Sequence, residues 1–225
     1  MKAMILKFLM IVSVSMLVGG CATNQLYDYS AYKQSRPRSI LVLPPVNNST
    51  DVSATYSMLS QTTYPLAEAG YYVFPVTLVN ETFKQNGLNV PADIHAVAPS
   101  KLKDIFGADS ALYITITQYG TKYIMIDSVT TVSADAKLID LKTEKILWQG
   151  TATATNKEGK NDSSGGLMGV LISAVINQVV SSVSDESHKI AGVTAQRLLS
   201  AGRPKGILYG PRSPNYEKDE FAASK

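Results

Sequence analysis

The chain begins with an apolar run too short to cross a bilayer. Phe8 to Val18 is eleven residues broken only by Ser13 and Ser15, with Lys2 and Lys7 before it and Gly19-Gly20 after it. A basic start, a short apolar centre and small residues at the end are the anatomy of a secretory signal. Ala22 to Arg38 is polar, shows no period and ends in Arg-Pro-Arg, so residues 21–38 read as a flexible tether. As a coil, its 17 residues after the cysteine span roughly 20–25 Å, and about 55–60 Å when fully extended.

From Ser39 the pattern becomes that of a folded domain, expected over residues 39–202. Ile40-Leu41-Val42-Leu43 is continuously aliphatic and stops at Pro44-Pro45. Such a run marks a strand buried on both faces, with helices on each side of its sheet. A polar loop over Asn47 to Asp51 leads to a helix expected over Ala54 to Gly70, kinked or broken at Pro65. Tyr71 to Phe74 reads as a second strand and Val76 to Gln85 as a helix ended by Asn86-Gly87. Leu88 to Pro99 reads as irregular, followed by a short helix, Lys101 to Phe106, capped by Ser100.

Beyond Gly107 the period switches to alternation. Ala111–Thr117, Tyr123–Ile126, Val129–Leu141 and Ile146–Thr155 predict an antiparallel meander, with turns at Tyr119-Gly120-Thr121, near Asp127-Ser128 and at Lys142 to Lys145. The fold class is therefore α/β (α+β): a mixed sheet made of a βαβα part and a meander, covered by helices. Gly165 to Ser184 carries no charge. Its length would span a membrane, but Asn177, Gln178 and the serines fit better on a helix that covers the sheet. Gly165, Gly169 and Ser173 line one side of that helix and offer a face for self-association. A final amphipathic helix covers Glu186 to Leu199, and residues 203–225 read as a partly ordered tail.

The position of the single cysteine changes the picture of the N-terminus. Val18-Gly19-Gly20-Cys21 resembles the lipobox of bacterial lipoproteins, in which cleavage after Gly20 leaves Cys21 first. The resemblance implies diacylglycerol on the Cys21 sulfur and a further acyl chain, such as palmitate, on its nitrogen. The alternative is an uncleaved N-terminal anchor. At ~0.8 kcal/mol per buried methylene, two or three long chains hold a protein on a membrane almost permanently. Ala22 at the next position, by similarity to Gram-negative lipoprotein sorting, implies the outer membrane, with the body in the periplasm or at the cell surface. Removing 20 residues leaves 205, in which 19 basic residues face 18 acidic ones, so the pI near 8.8 says nothing of nucleic acid. Acylation also takes the only thiol, leaving neither a disulfide nor a cysteine-held metal, and no cofactor is expected.

Catalytic patterns are sparse. His95 and His188 have no Cys or Glu at ligand spacing and read as surface residues. Gly165 to Gly169 follows a polar loop, not a strand, which makes a weak phosphate site. Ser100-Lys101-Leu102-Lys103 has the Ser-x-x-Lys spacing of penicillin-recognising enzymes without their other motifs. Asp104, Asp109, Asp127, Asp135, Asp140 and Glu144 are scattered around the meander with nothing to pair them for hydrolysis. A non-enzymatic role follows. Tyrosine outnumbers phenylalanine twelve to five, and Tyr71, Tyr72, Tyr119 and Tyr123 are either interface residues or ordinary sheet tyrosines.

Longer stretches resemble a family of Gram-negative lipoproteins first noticed as a neisserial vaccine-candidate antigen. They are Ile40 to Ser49, the block Pro65-Leu66-Ala67-Glu68-Ala69-Gly70-Tyr71-Tyr72-Val73-Phe74-Pro75-Val76, Ile105 to Asp109, Leu147 to Gly150 and Gly210-Pro211-Arg212. That family is similar in fold to the amino-terminal domain of TolB and to the periplasmic core of the curli secretion channel CsgG. The resemblance implies an α/β body in an envelope assembly, with a CsgG-like lipoprotein and a second small lipoprotein as partners. Other readings are a regulator of peptidoglycan synthesis of the LpoB type, an envelope-polymer hydrolase, and a pore component using Gly165 to Ser184.

Overall fold

The computed structural model describes residues 27–124, 127–158 and 186–219. In chain order these form α1 (Ser30–Ser35), β1 (Ser39–Val42), β2 (Val46–Asn47), α2 (Ala54–Ser60), α3 (Thr63–Glu68) and β3 (Tyr72–Val73). There follow α4 (Val76–Gln85), α5 (Pro91–His95), α6 (Pro99–Phe106), β4 (Ser110–Ile124), β5 (Asp127–Asp140), β6 (Ile146–Thr155) and α7 (Glu186–Leu199). The strands join in one six-stranded sheet ordered β3-β1-β4-β5-β6, with β2 pairing β4. β1 runs parallel to β3 and β4, whereas β4, β5 and β6 form an antiparallel meander. The expected mixed α/β architecture is what forms.

Burial follows the hydrophobic pattern. Ile40, Leu41, Val42 and Leu43 are all fully buried, as a central strand with both faces covered requires. Ile40 and Val42 face a large inner core with Met58 and Leu66 of α2 and α3, Ile190 and Leu198 of α7, and Trp148. Leu41 and Leu43 face a smaller outer core with Val79, Phe83, Ile94 and Leu102 of α4 to α6. The Trp148 indole is buried and donates through Nε1 to the carbonyl of Lys205, 2.8 Å away.

Several local expectations are corrected. The helix over residues 54–70 is two helices, and the break falls at Gln61-Thr62 rather than at Pro65. The Pro65 ring would meet the carbonyl four residues back, so the chain re-enters helix at Thr63 with Pro65 in the first turn. No turn occurs at residues 119–121. β4 runs through them, with a register shift between Ile116 and Gln118 and Gly120 taking φ +121° inside the strand. The irregular stretch 88–99 contains α5, and α6 starts at Pro99 with Ala98 at the cap, so Ser100 is no cap.

The largest correction is at the N-terminus. Residues 27–38 are not a stalk, because Tyr29 and Tyr32 are 4% and 3% exposed within the inner core. Each buried hydroxyl has a partner: Tyr29 donates to Gly206 O (2.5 Å), and the Tyr32 and Tyr71 hydroxyls are 2.7 Å apart. At the other end, the tail folds back as far as residue 219. Gly210 N–H donates to Ala69 O and Arg212 N–H to Gly70 O. A Cβ at Gly70, whose φ is +96°, would lie 2.4 Å from Ser213 N, so only glycine allows this approach. Cys21, Gly20, Gly165, Gly169, Ser173 and the whole stretch Gly165 to Ser184 lie outside the described residues.

Candidate functional site

Among the described residues β6 is an edge strand, and side chains meet three of the main-chain groups on its outer edge. Alternation in an antiparallel ladder turns the N–H and C=O of Gln149, Thr151, Thr153 and Thr155 away from β5. The Tyr27 hydroxyl accepts from Gln149 N–H at 2.8 Å, Arg197 donates to Thr153 O at 2.7 Å, and Glu158 accepts from Thr155 N–H at 3.0 Å. Arg197 is further held by an ion pair with Glu158. Between these plugs, both main-chain groups of Thr151 have no partner among the described residues. That leaves a short window where a strand from elsewhere can pair.

The window opens beside a groove of about 900 Å³ on the outer face of the meander. Its floor is polar: Thr115 of β4, Asp135 and Lys137 of β5, and Gln149 and Thr151 of β6. Thr151 donates to Asp135 Oδ1 at 2.6 Å, and the Ser133 and Thr153 hydroxyls meet at 2.9 Å. Tyr27, Lys205, Tyr113 and His95 wall it. Lys137 Nζ lies 5.3 Å from the centre of the Tyr113 ring, and His95 meets that ring edge-on. His95 is not a free surface residue, because Nε2 lies 3.0 Å from Pro44 O. Burial holds its pKa below the ordinary value, the Pro44 carbonyl pulls the other way, and Lys137 adds to the depression.

A second hollow, about 310 Å³, lies where α1 meets the C-terminal segment, lined by Tyr32, Tyr71, Tyr209, Tyr216 and Leu208. Arg36 and Glu217 pair across its mouth at 3.4 Å. Burial pushes the Asp219 carboxyl up, against the donated Tyr209 N–H and the charge of Lys33. Burial also raises the Tyr29 hydroxyl to about 12, with Tyr27 and Asp219 adding to the rise and Arg203 opposing it. Tyr29 is therefore a neutral hydrogen-bonding residue at any physiological pH.

The tyrosines singled out in the sequence divide. Tyr71 (4% exposed) bonds Leu208 O, and Tyr119 (5% exposed) donates to Ser57 Oγ at 2.7 Å, so neither offers a surface to a partner. Tyr72 is 45% exposed, with the Arg212 guanidinium over its ring at 5.5 Å. The side chain of Tyr123 lies outside what the structure describes. His188, expected at the surface, has its Nδ1 2.8 Å from Ser57 Oγ and its Nε2 2.8 Å from Gln61 Nε2. The imidazole is thus held between α2 and the residue that follows it, with Ser57 also accepting from Tyr119. Ser57 on α2 and Gln61 just past its end, four residues apart, are the one trace of this cluster in the sequence. Among the described residues, no group of three or more His, Cys, Asp or Glu can hold a metal ion, and no helix is long and apolar enough to cross a membrane.

Residues 27–212 match the family model described as "Putative lipoprotein GNA1162-like". The chain belongs to that family. It is 54% identical over 186 residues to the "Putative lipoprotein NMB1124/NMB1162" of Neisseria meningitidis serogroup B, covering 83% of this chain and 86% of that one. The crystal structure of lipoprotein GNA1162 from Neisseria meningitidis is 58% identical, with a TM-score of 0.53, over 65% of this chain and all of that one. The LpoB C-terminal domain from Salmonella enterica is 17% identical with a TM-score of 0.38, covering 57% of this chain and 98% of that one, too low to bear on function. The expected neisserial lipoprotein family is thus found. The five stretches that carried the resemblance lie on β1 and its following loop, on α3 to β3, at the end of α6, on β6, and where the tail meets Gly70.

Proposed function

We propose that this chain is a lipid-anchored, non-enzymatic subunit or adaptor of a secretion or envelope-assembly complex. Cleavage after Gly20 leaves Cys21 to carry diacylglycerol and an N-acyl chain, and the anchor places the protein in the outer membrane with its body in the periplasm. The partners in this reading are a CsgG-like lipoprotein and a second small lipoprotein, consistent with the family resemblance. One observation carries it: the main-chain window at Thr151, without a partner among the described residues and set beside a polar groove of about 900 Å³. Backbone pairing at a sheet edge gives affinity for an extended segment, and flanking pockets give specificity.

A photo-crosslinking residue at position 151, introduced in cells with acylation intact, tests this. Capture of a CsgG-like lipoprotein in stoichiometric yield, lost when the probe is moved to exposed Leu78 on α4, is the expected result. Capture of a peptidoglycan synthase would replace the adaptor with a regulator of the LpoB type. Sacculus turnover by the purified chain, abolished by changing one carboxylate, would instead make it a hydrolase.

A further inference from the structure

The hollow between α1 and the C-terminal segment is built from distant parts of the described chain. Tyr32 comes from α1, Tyr71 from just before β3, and Leu208, Tyr209, Tyr216 and Asp219 from the C-terminal segment. Main-chain bonds hold these parts together: Gly210 N–H donates to Ala69 O at 2.7 Å and Arg212 N–H to Gly70 O at 3.0 Å. Walls fixed in this way leave little ordering to oppose binding. At about 310 Å³ the hollow is at the small end of ligand pockets, which run from about 300 to 1,000 Å³.

Its polar groups are acceptors. Tyr71 has one hydroxyl proton and gives it to Leu208 O at 2.7 Å. The Tyr32 proton therefore goes to Tyr71 Oη, 2.7 Å away, and Tyr32 Oη is left able only to accept. Burial pushes both hydroxyls up in pKa, so both keep their protons. Asp219 Oδ2 takes the Tyr209 N–H at 3.1 Å, and Oδ1 has no hydrogen-bond partner among the described residues. Burial raises this carboxyl by more than Tyr209 N–H and Lys33 lower it, so its charge is poorly compensated where it sits. The same charge acts on Tyr32 and Tyr71, so carboxylate and hydroxyls face one space. At the mouth, Arg36 and Glu217 are exposed and pair with each other. An anion would meet the Asp219 charge and an acceptor-only hydroxyl. Aromatic walls with a carboxylate among them suit an organic cation instead. We propose that this hollow binds a small organic amine as its ammonium ion, with Asp219 as counter-ion, Tyr32 Oη as acceptor and the tyrosines around its apolar part.

The test is calorimetric titration of the full acylated chain in maltoside micelles at pH 7, with empty micelles subtracted. The probes are benzylamine and benzyl alcohol, alike in shape and different in charge. Benzylamine is expected to bind about tenfold or more tighter than the alcohol. Asp219→Asn keeps an acceptor for Tyr209 N–H and is expected to abolish that preference. Glu217→Gln, at the mouth, is expected to change it less than twofold. Equal affinity for the two probes, or no saturable binding of benzylamine at millimolar concentration, overturns the proposal. So does a loss on Glu217→Gln as large as on Asp219→Asn, which would reduce the effect to surface charge. Binding seen only after residues 220–225 are removed would make the chain's own end the occupant and overturn it as well.

Discussion

Along the outer face of the sheet, β1 and the start of β4 present Leu41, Leu43, Ala111 and Tyr113, and α4, α5 and α6 close over them. Farther across, the same face presents Thr115, Ser133, Asp135, Lys137, Thr151 and Thr153, and no described helix covers it. Hydrogen bonding runs without a break from one half to the other, so backbone pairing does not decide which half is covered. Side-chain chemistry does. Apolar positions draw helices because each buried side chain contributes about 1.5–3 kcal/mol. The polar half satisfies itself instead, through Ser133 with Thr153 and Thr151 with Asp135, and no described helix packs on it.

Replacing Leu41 by Ala, in the covered half, is expected to cost about 2–5 kcal/mol, read by chemical denaturation. A cost below 1 kcal/mol would mean that the outer helices do not hold that half. Next in size is Asp140→Asn at the end of β5. Burial opposes this carboxylate's charge. The Ser35 hydroxyl, the Thr143 N–H and hydroxyl and the Lys142 N–H outweigh it and keep its pKa below the ordinary value. Loss of about 1–3 kcal/mol is expected at pH 7. Because the folded pKa is lowered, the wild-type advantage is present above the unfolded value and fades as pH falls through the folded one. The same denaturation series repeated in acid reads this directly.

His95, on the border between the halves, gives a smaller effect of opposite kind. Its folded pKa is lowered, so the unfolded chain takes up the proton first as pH falls. Stability should therefore decline from pH 7 through the ordinary histidine value. His95→Gln keeps a donor for Pro44 O and should flatten that part of the profile. Smallest of all, Thr153→Ala in the open half should stay within about 0.5 kcal/mol of wild type. Its side chain is exposed and its hydroxyl meets only Ser133 among the described residues.

The two halves were legible in the sequence to different degrees. Ile40 to Leu43 announced a strand covered on both sides, and the alternation after Gly107 announced one wetter face, because burial dictates both periods. The N-terminal segment was not legible. Tyr29 and Tyr32 sit among polar residues, one just before and one within a helix of six residues too short to show a period, and their partners Gly206 and Tyr71 are far along the chain. Tyr71 and Tyr119 illustrate the same limit. A tyrosine has an apolar ring and a polar tip, and composition cannot say whether that tip meets solvent, Leu208 O or Ser57. The window at Thr151 depends on what Tyr27, Arg197 and Glu158 do to an edge strand, which no local pattern encodes.

Amide hydrogen exchange on the unacylated body tests the central claim most directly. The account predicts that Thr151 exchanges at close to the rate of an unstructured peptide, while Leu112 of β4 exchanges only on global unfolding. Strong protection at Thr151 in the isolated body would contradict it, for the edge would already be paired and the open half would have nothing to offer a partner.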